Sequence, residues 1–524
     1  MDNDSSQNDF LSDQDPSFEE SYDLISVPKE HLDIVFSQKS FIKHLDFSTL
    51  KEQADQGEAE AQFRVAECYR NGENIQRSYP SAILYYKLAA DQGHRYAQYF
   101  LADLYDYGLG VKQDFVQALY YYKLAAEKNC PESLAKLGKF YYEGKGGVER
   151  SPEKAIDYYQ TAEHLGSIAA LDYLADAYEQ GIGVEKSEER AWYYREKKFQ
   201  CVKMQADEGD ACAQALLGSY YQKGNGVEKS MESAVHYYQL SADQNYSKGL
   251  FKLGECYAEG RGVQRSSEKT IHYYSLAADQ GYPLAQAMLA KYLLENKINE
   301  EQAVHYLKLI VQNRQCYFWL LASCEYNLAK CFEKGTGIRQ SAKNALYYYT
   351  ISAENGQKLA QKRLGDAYWK GELGLKKSPE RAVEYYLLAG NQGCSCSLEI
   401  IGDCYALGKV VKQSYEKAFY YYKLAAEIDI KKGHGASIYV LARCFEYGVG
   451  TEKSLEKALQ YYRFAGENGF SRGYYKLWRL YKEMGGEENA RKAAAYFNLA
   501  VKGNDPYALY ELQGGVCDLI DFII

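Results

Sequence analysis

Proline is scarce in this sequence. Eight prolines in 524 residues leave room for long uninterrupted helices, since an interior proline removes a backbone donor and breaks the helical ladder. Basic charge is also short. Lysine and arginine number 62 against 71 acids, a net charge of -9. Nucleic-acid recognition wants a basic surface, so no nucleic-acid partner is expected, and an anionic membrane is disfavoured as well. No apolar run reaches the ~18 residues of a membrane span. The first 23 residues carry eight acids, and no Lys or Arg precedes Lys29. A secretory signal needs a basic start and an apolar middle, so none is expected and the location read from the sequence is cytoplasmic.

The thirteen cysteines lack metal-ligand spacing. Cys68, Cys256, Cys331, Cys404 and Cys444 fall at one recurring position, where other copies place Leu104, Phe140 or Ala177. They read as small buried apolar residues, reduced in a cytosol-like compartment. No metal and no cofactor is expected.

Tyrosine is abundant, at 54 residues, mostly in a recurring doublet. YYKLAADQG at Tyr85 returns as YYYKLAAEKN at Tyr120, YYSLAADQG at Tyr273, YYLLAGNQG at Tyr385 and YYYKLAAEID at Tyr420. Ala54, Ala90 and Ala126 lie 36 residues apart, as do Ala206, Ala242 and Ala278. A fixed period in the range of 20–50 residues marks a solenoid or a propeller. The content of the period decides between them. Ala97, Leu101, Ala102, Leu104 and Tyr105 lie on one helical face, GLGVKQ interrupts, and a second helical stretch follows. Two helices per period predict an α-solenoid. First helices end at glycine, as at Gly72 and Gly108; second helices begin after Ser or Asp, as in Ser151-Pro152-Glu153. Small residues such as Ala66, Gly138 and Gly218 let neighbouring helices approach closely, and one ring of each doublet is expected between repeats, the other near the rim.

The pattern A-x-x-G-x-x-x-A-x-x-x-L-(A/G)-x-x-Y-x-x-G-x-G-V, followed by (S/D)-x-x-K-A-x-x-Y-Y-x-L, resembles the Sel-1-like repeat, a relative of the tetratricopeptide repeat. The resemblance covers about residues 54 to 513. It implies an all-α fold, a right-handed α-α superhelical solenoid of about twelve helix-turn-helix repeats, whose first helices line the concave face. It also implies a non-catalytic adaptor or scaffold that holds proteins or peptides. Relatives act in protein degradation, in cell-wall synthesis and in bacteria living inside eukaryotic cells. An alternative is therefore a host-directed effector of an intracellular bacterium, reaching the host cell by a non-classical route. A monomer is expected.

Residues 1–23 are expected to form an acidic disordered tail and 24–53 N-terminal capping helices. The repeat array is expected over 54–500, irregular near 191–209 and 290–320, with 501–524 as a partial repeat and C-terminal cap. Ala191 to Gly209 is seven residues longer than Ala82 to Gly93. The turn before Ala303 is shortened. Cys316–Cys324 reads as the buried part of an elongated helix, and Phe522-Ile523-Ile524 as part of the cap.

Three sets of residues invite chemistry. Ser151/Lys154, Ser266/Lys269, Ser414/Lys417 and Ser454/Lys457 form S-x-x-K, the nucleophile motif of serine β-lactamases, and a penicillin-binding or β-lactamase-like hydrolase is a further alternative. Each serine falls at a helix N-cap, however, and the partner motifs are missing, so no catalytic residue is assigned. Gly108/Gly110 follows a helix and lacks the phosphate-loop lysine, so it is a turn. His236, His272 and His305 share one position in successive repeats, at a spacing of roughly 10 Å, too far for a shared zinc.

Partner binding is expected on the first helices. One position, following the small residue, is read as exposed, and its neighbour four residues earlier shares its face. The pairs predicted to capture a partner are Phe63/Glu67, Tyr99/Asp103 with Tyr96, Phe251/Glu255, Tyr326/Lys330, Tyr439/Arg443 and Tyr475/Arg479.

Overall fold

The computed structural model describes residues 47–72, 75–313 and 318–513. These contain 26 helices and no strand. The acidic stretch 1–23, most of the expected N-terminal cap and the end of the chain after Gln513 lie outside the described residues.

Helix boundaries follow local chemistry. In Arg95–Tyr107 the chain stops at Gly108, which adopts φ 68° and donates its N–H to the Leu104 carbonyl. That left-handed conformation is cheap only for glycine. Asp114 then starts the next helix by accepting from the amides of Val116 and Gln117. The same punctuation makes most helices 13 residues long.

Two compact units divide the chain, Met1–Tyr282 and Pro283–Ile524. The first begins with Phe47–Asp55 and stacks helix pairs from Ala59–Asn71/Tyr79–Asp91 to Ser247–Glu259/Ser267–Asp279. The second runs from Pro283–Glu295/Glu300–Asn313 to Arg472–Met484/Glu487–Lys502 and ends with the short helix Pro506–Leu512. In each unit a second helix packs on the first helix of its own repeat and on that of the next. Successive first helices also touch, as in Ala211–Lys223 against Ser247–Glu259 and Ser395–Leu407 against Ala436–Tyr447. First helices therefore form the inner layer, and the core lies between the two layers.

The irregular segments have simple causes. The seven extra residues near 191–209 lengthen one second helix, Glu188–Asp207, to 20 residues. In the shortened turn, Lys297 and Asn299 take positive φ to join Pro283–Glu295 and Glu300–Asn313. A further long second helix, Tyr415–Lys432, spans 18 residues. Of the segment 316–324, residues 316–317 lie outside the described residues; Leu320, Ala322 and Cys324 are buried in the 17-residue helix Phe318–Lys334, while Phe318 is exposed. At the far end Trp478 lies 4.9 Å from Phe497 and 5.3 Å from Tyr475, ring to ring, beneath Pro506–Leu512.

Candidate partner-binding surface

The tyrosine doublet does two jobs. Its first ring stacks on an aromatic ring of the preceding first helix. Tyr121 lies 6.0 Å from Tyr105, and Tyr273 lies 5.7 Å from Tyr257, with planes nearly parallel. Its second ring is fully buried, as at Tyr86, Tyr122, Tyr274 and Tyr422. A buried phenol needs an acceptor. Tyr122 donates to Asp103 at 2.5 Å, Tyr386 to Asp366 at 2.8 Å and Tyr422 to Asp403 at 2.6 Å; Tyr86 donates to Glu67. Burial pushes these phenols well up, so they remain donors at any physiological pH.

This wiring corrects the expected exposed ladder. Glu67 and Asp103 are buried, because their carboxylates are the acceptors for the tyrosines. Glu67 also pairs with Arg70 at 3.1 Å, and Asp103 with Lys136 at 3.2 Å. Phe63, Tyr99, Phe251 and Tyr475 are buried as well: Phe63 stacks on His94, Tyr99 packs edge-on against Phe100, Phe251 lies on Tyr274, and Tyr475 donates to Glu511 at 2.9 Å. The spacing of four does place each pair on one face, but that face meets the next repeat.

The other expected residues stay half-buried: Tyr96, Glu255, Tyr326, Lys330, Tyr439, Arg443 and Arg479. Lys330 lies over the Tyr326 ring at 5.6 Å. Arg95 lies over Tyr96 at 4.8 Å, Glu255 pairs with Lys252 at 3.0 Å, and Arg479 reaches Glu483 at 3.8 Å. Tyr439 packs against Tyr462 and Phe470, and Arg443 lies over Tyr447.

The internal counter-charges escaped the sequence reading. Lys136 is buried, and although burial disfavours its charge, Asp103 and the surrounding tyrosines hold its ammonium well up in pKa. Lys198, on the lengthened helix Glu188–Asp207, pairs with Asp172 at 2.6 Å. These partners lie about 30 residues away, so no local pattern points to them. A second surface was also missed. The position just before the doublet is exposed: Leu84, Tyr120, Tyr193, Tyr347 and Tyr420 stand there at 54–57% exposure. His236, His272 and His305 occupy the same solvent-facing position, each edge-on to the next tyrosine. The triple tyrosines beginning at Tyr120, Tyr347 and Tyr420 carried this signal.

All four S-x-x-K serines cap helices. Ser151, Ser266, Ser414 and Ser454 accept the amide N–H of Lys154, Lys269, Lys417 and Lys457 at 3.2–3.4 Å. The lysine side chains turn away from the serines and lie over a stacked aromatic ring: Lys269 over Tyr257 at 4.7 Å, Lys417 over Tyr405 at 5.2 Å. The recurring cysteines Cys256, Cys331, Cys404 and Cys444 are buried. Burial pushes the thiols of Cys256 and Cys331 up to about 11 and that of Cys444 to about 12, which leaves them protonated.

Helix pairs in phase, glycine-capped and wired by tyrosines, define an α-solenoid repeat protein. The chain belongs to the Sel1 repeat family, whose repeat is matched twelve times, from residues 59–94 to 478–505. Proteins of this family are generally protein-interaction scaffolds and typically non-catalytic. Among solved structures the chain is similar to c5321, a protective antigen present in uropathogenic Escherichia coli strains and displaying an SLR fold. The identity is 26%, covering 90% of this chain and 98% of that one, with a TM-score of 0.43. It is also similar to a Sel1 repeat protein from Oxalobacter formigenes, at 24% identity over 71% and 92% of the two chains, TM-score 0.33. The immunity protein Pa5087 from Pseudomonas aeruginosa shares 26% identity over 42% and 81%, TM-score 0.31. The search of curated proteins gives no match.

Proposed function

We propose that this chain is a non-catalytic adaptor that holds protein or peptide partners on the surface of its repeat array. The observation that carries this reading is the division of labour among residues. Those that recur in most repeats are spent on stacking, capping and buried hydrogen bonds. Those that differ from repeat to repeat include the half-buried pairs Tyr326/Lys330 and Tyr439/Arg443 on first helices. An aromatic ring beside a charge is the residue chemistry of interface anchors. The serine caps favour this reading over a hydrolase, since a capping oxygen is already engaged by a backbone donor.

The adaptor is placed in a reducing, cytosol-like compartment as a monomer. The recurring cysteines Cys256, Cys331, Cys404 and Cys444 are free thiols, which supports the compartment. Among the described residues no helix is long and apolar enough to cross a membrane. The net charge of -9 favours protein over nucleic-acid partners.

The test is affinity capture from lysate with the wild type, Tyr326→Ala/Lys330→Glu and Tyr439→Ala/Arg443→Glu, with circular dichroism as folding control. Variants that remain helical but lose specific proteins support the adaptor. Capture that is unchanged in both removes the first-helix face from the reading.

A further inference from the structure

Several carboxylates on the inner layer are answered by a cation of the chain itself. Glu67 has Arg70, Asp103 has Lys136, Asp172 has Lys198, Glu333 has Arg363, Asp366 has Lys362 and Glu446 has Lys476. Glu399 is different. It occupies the same repeat position as Asp172, but among the described residues its only hydrogen-bond partner is the hydroxyl of Ser437. Among the described residues no basic side chain comes within ion-pairing distance of it.

The neighbouring charge has the wrong sign. In four repeats a glutamine side chain donates to the carbonyl eight residues earlier, as Gln98 does to Ala90 and Gln361 to Ala353. Ser437 and Asp429 stand at the corresponding spacing, with donor and acceptor rearranged: the Ser437 amide donates to Asp429 Oδ2 at 3.1 Å, and the Ser437 hydroxyl turns to Glu399. Ser437 thus bridges two carboxylates. Asp429 is only 3% exposed, and its Oδ1 is buried without a hydrogen-bond partner. Its charge acts on Glu399 and on Cys396, as does that of Asp403 on Glu399, which faces solvent at the rim. A buried carboxylate oxygen with no partner costs free energy unless something else meets it. Among the described residues no three Asp, Glu, His or Cys side chains converge closely enough for a metal ion, so a larger, hydrogen-bonding cation fits better.

We propose that Glu399 and Asp429 are the receptor for one cationic side chain, lysine or arginine, of a protein partner. The ammonium or guanidinium replaces the counter-ion that Lys198 supplies to Asp172 in the other lengthened repeat. The half-buried Glu399 gives it entry, and Asp403 attracts it from the rim. This rests on the adaptor reading and names the chemistry of what is bound.

Burial, reinforced by Asp429 and Asp403 and opposed by the Ser437 hydrogen bond, pushes the Glu399 carboxyl up to about 7. Other groups facing the site are Cys396 on the same helix, Lys362 on Lys358–Lys370, where it is tied to Asp366, and Arg443 on Ala436–Tyr447, which attracts Asp403 together with Lys409. Occupation by a cation is therefore strongest above neutral pH.

The experiment titrates the full chain above neutral pH with blocked glycine-rich peptides carrying one central lysine, arginine or norleucine, and with spermidine. Calorimetry reads binding and thermal melting reads stability. The lysine or arginine peptide is expected to bind and the norleucine peptide not. Glu399→Gln weakens binding by at least about tenfold, the loss of one charge-assisted hydrogen bond. The same variant melts higher than the wild type in the absence of peptide, because an unanswered charge is gone; a structural role would lower the melting temperature. Asp172→Asn, whose position already has a cation, leaves binding intact. Equal binding of lysine and norleucine peptides, no binding of either, or unchanged affinity in Glu399→Gln overturns the proposal. Binding of spermidine alone overturns the protein source. Lysate capture that survives while peptide binding fails overturns this site and leaves the adaptor standing.

Discussion

Tyr122 donates its phenolic hydrogen to Asp103 Oδ1 at 2.5 Å across 19 residues of chain. The contact joins the second helix of a repeat to the first, and the same carboxylate pairs with Lys136 of the following repeat. Removing the hydroxyl leaves a buried carboxylate short of one donor. Tyr122→Phe is expected to cost about 1–3 kcal/mol. Tyr120→Phe, at an exposed ring, should stay within about 0.5 kcal/mol. Hydrogen exchange read repeat by repeat checks this, since long repeat arrays do not unfold as one cooperative unit.

Close approach of the two layers sets a second expectation. A Cβ at Gly218 would stand 2.6 Å from two ring carbons of Tyr238 and 3.0 Å from the Ala234 carbonyl oxygen. Gly218→Ala should therefore lower stability by about 1–3 kcal/mol, despite the better helix propensity of alanine. Ala66 and Ala102 hold the equivalent position elsewhere, so the penalty belongs to the local fit. Hydrogen exchange of the amides in that repeat measures it; a stabilised variant would mean that the ring moves aside freely.

The S-x-x-K serines are expected to behave as caps. Ser414→Ala should cost about 1 kcal/mol and leave partner capture unchanged. Intact-mass spectrometry after incubation with a β-lactam should find no acyl adduct on Ser151, Ser266, Ser414 or Ser454. An adduct on any of them would revive the hydrolase.

Glu399 predicts a pH dependence of stability. Its folded carboxyl is raised from 4.5 to about 7, so the folded state holds a proton that the unfolded chain releases earlier. The associated stability is fully present below about 4.5 and is lost as pH rises through about 7. Melting temperature should fall across that window in the wild type and fall less in Glu399→Gln. Identical profiles would remove Glu399 as the cause.

Sequence alone determined the repeat. Its period, its glycine stops, its serine caps and its doublet are local signals, because a helix face and a helix end are written within a few residues. These were enough for the α-solenoid and for the reading of S-x-x-K as caps. The surface was not legible in the same way. Glu67 and Asp103 look like solvent-facing acids in their own helix, and only the stacked neighbour turns them into buried acceptors for Tyr86 and Tyr122. The exposure of Tyr120 and the lack of an ion pair to Glu399 among the described residues were likewise decided by tertiary structure. Burial and ion pairing depend on partners roughly one repeat away, and periodicity does not say which charges those partners carry.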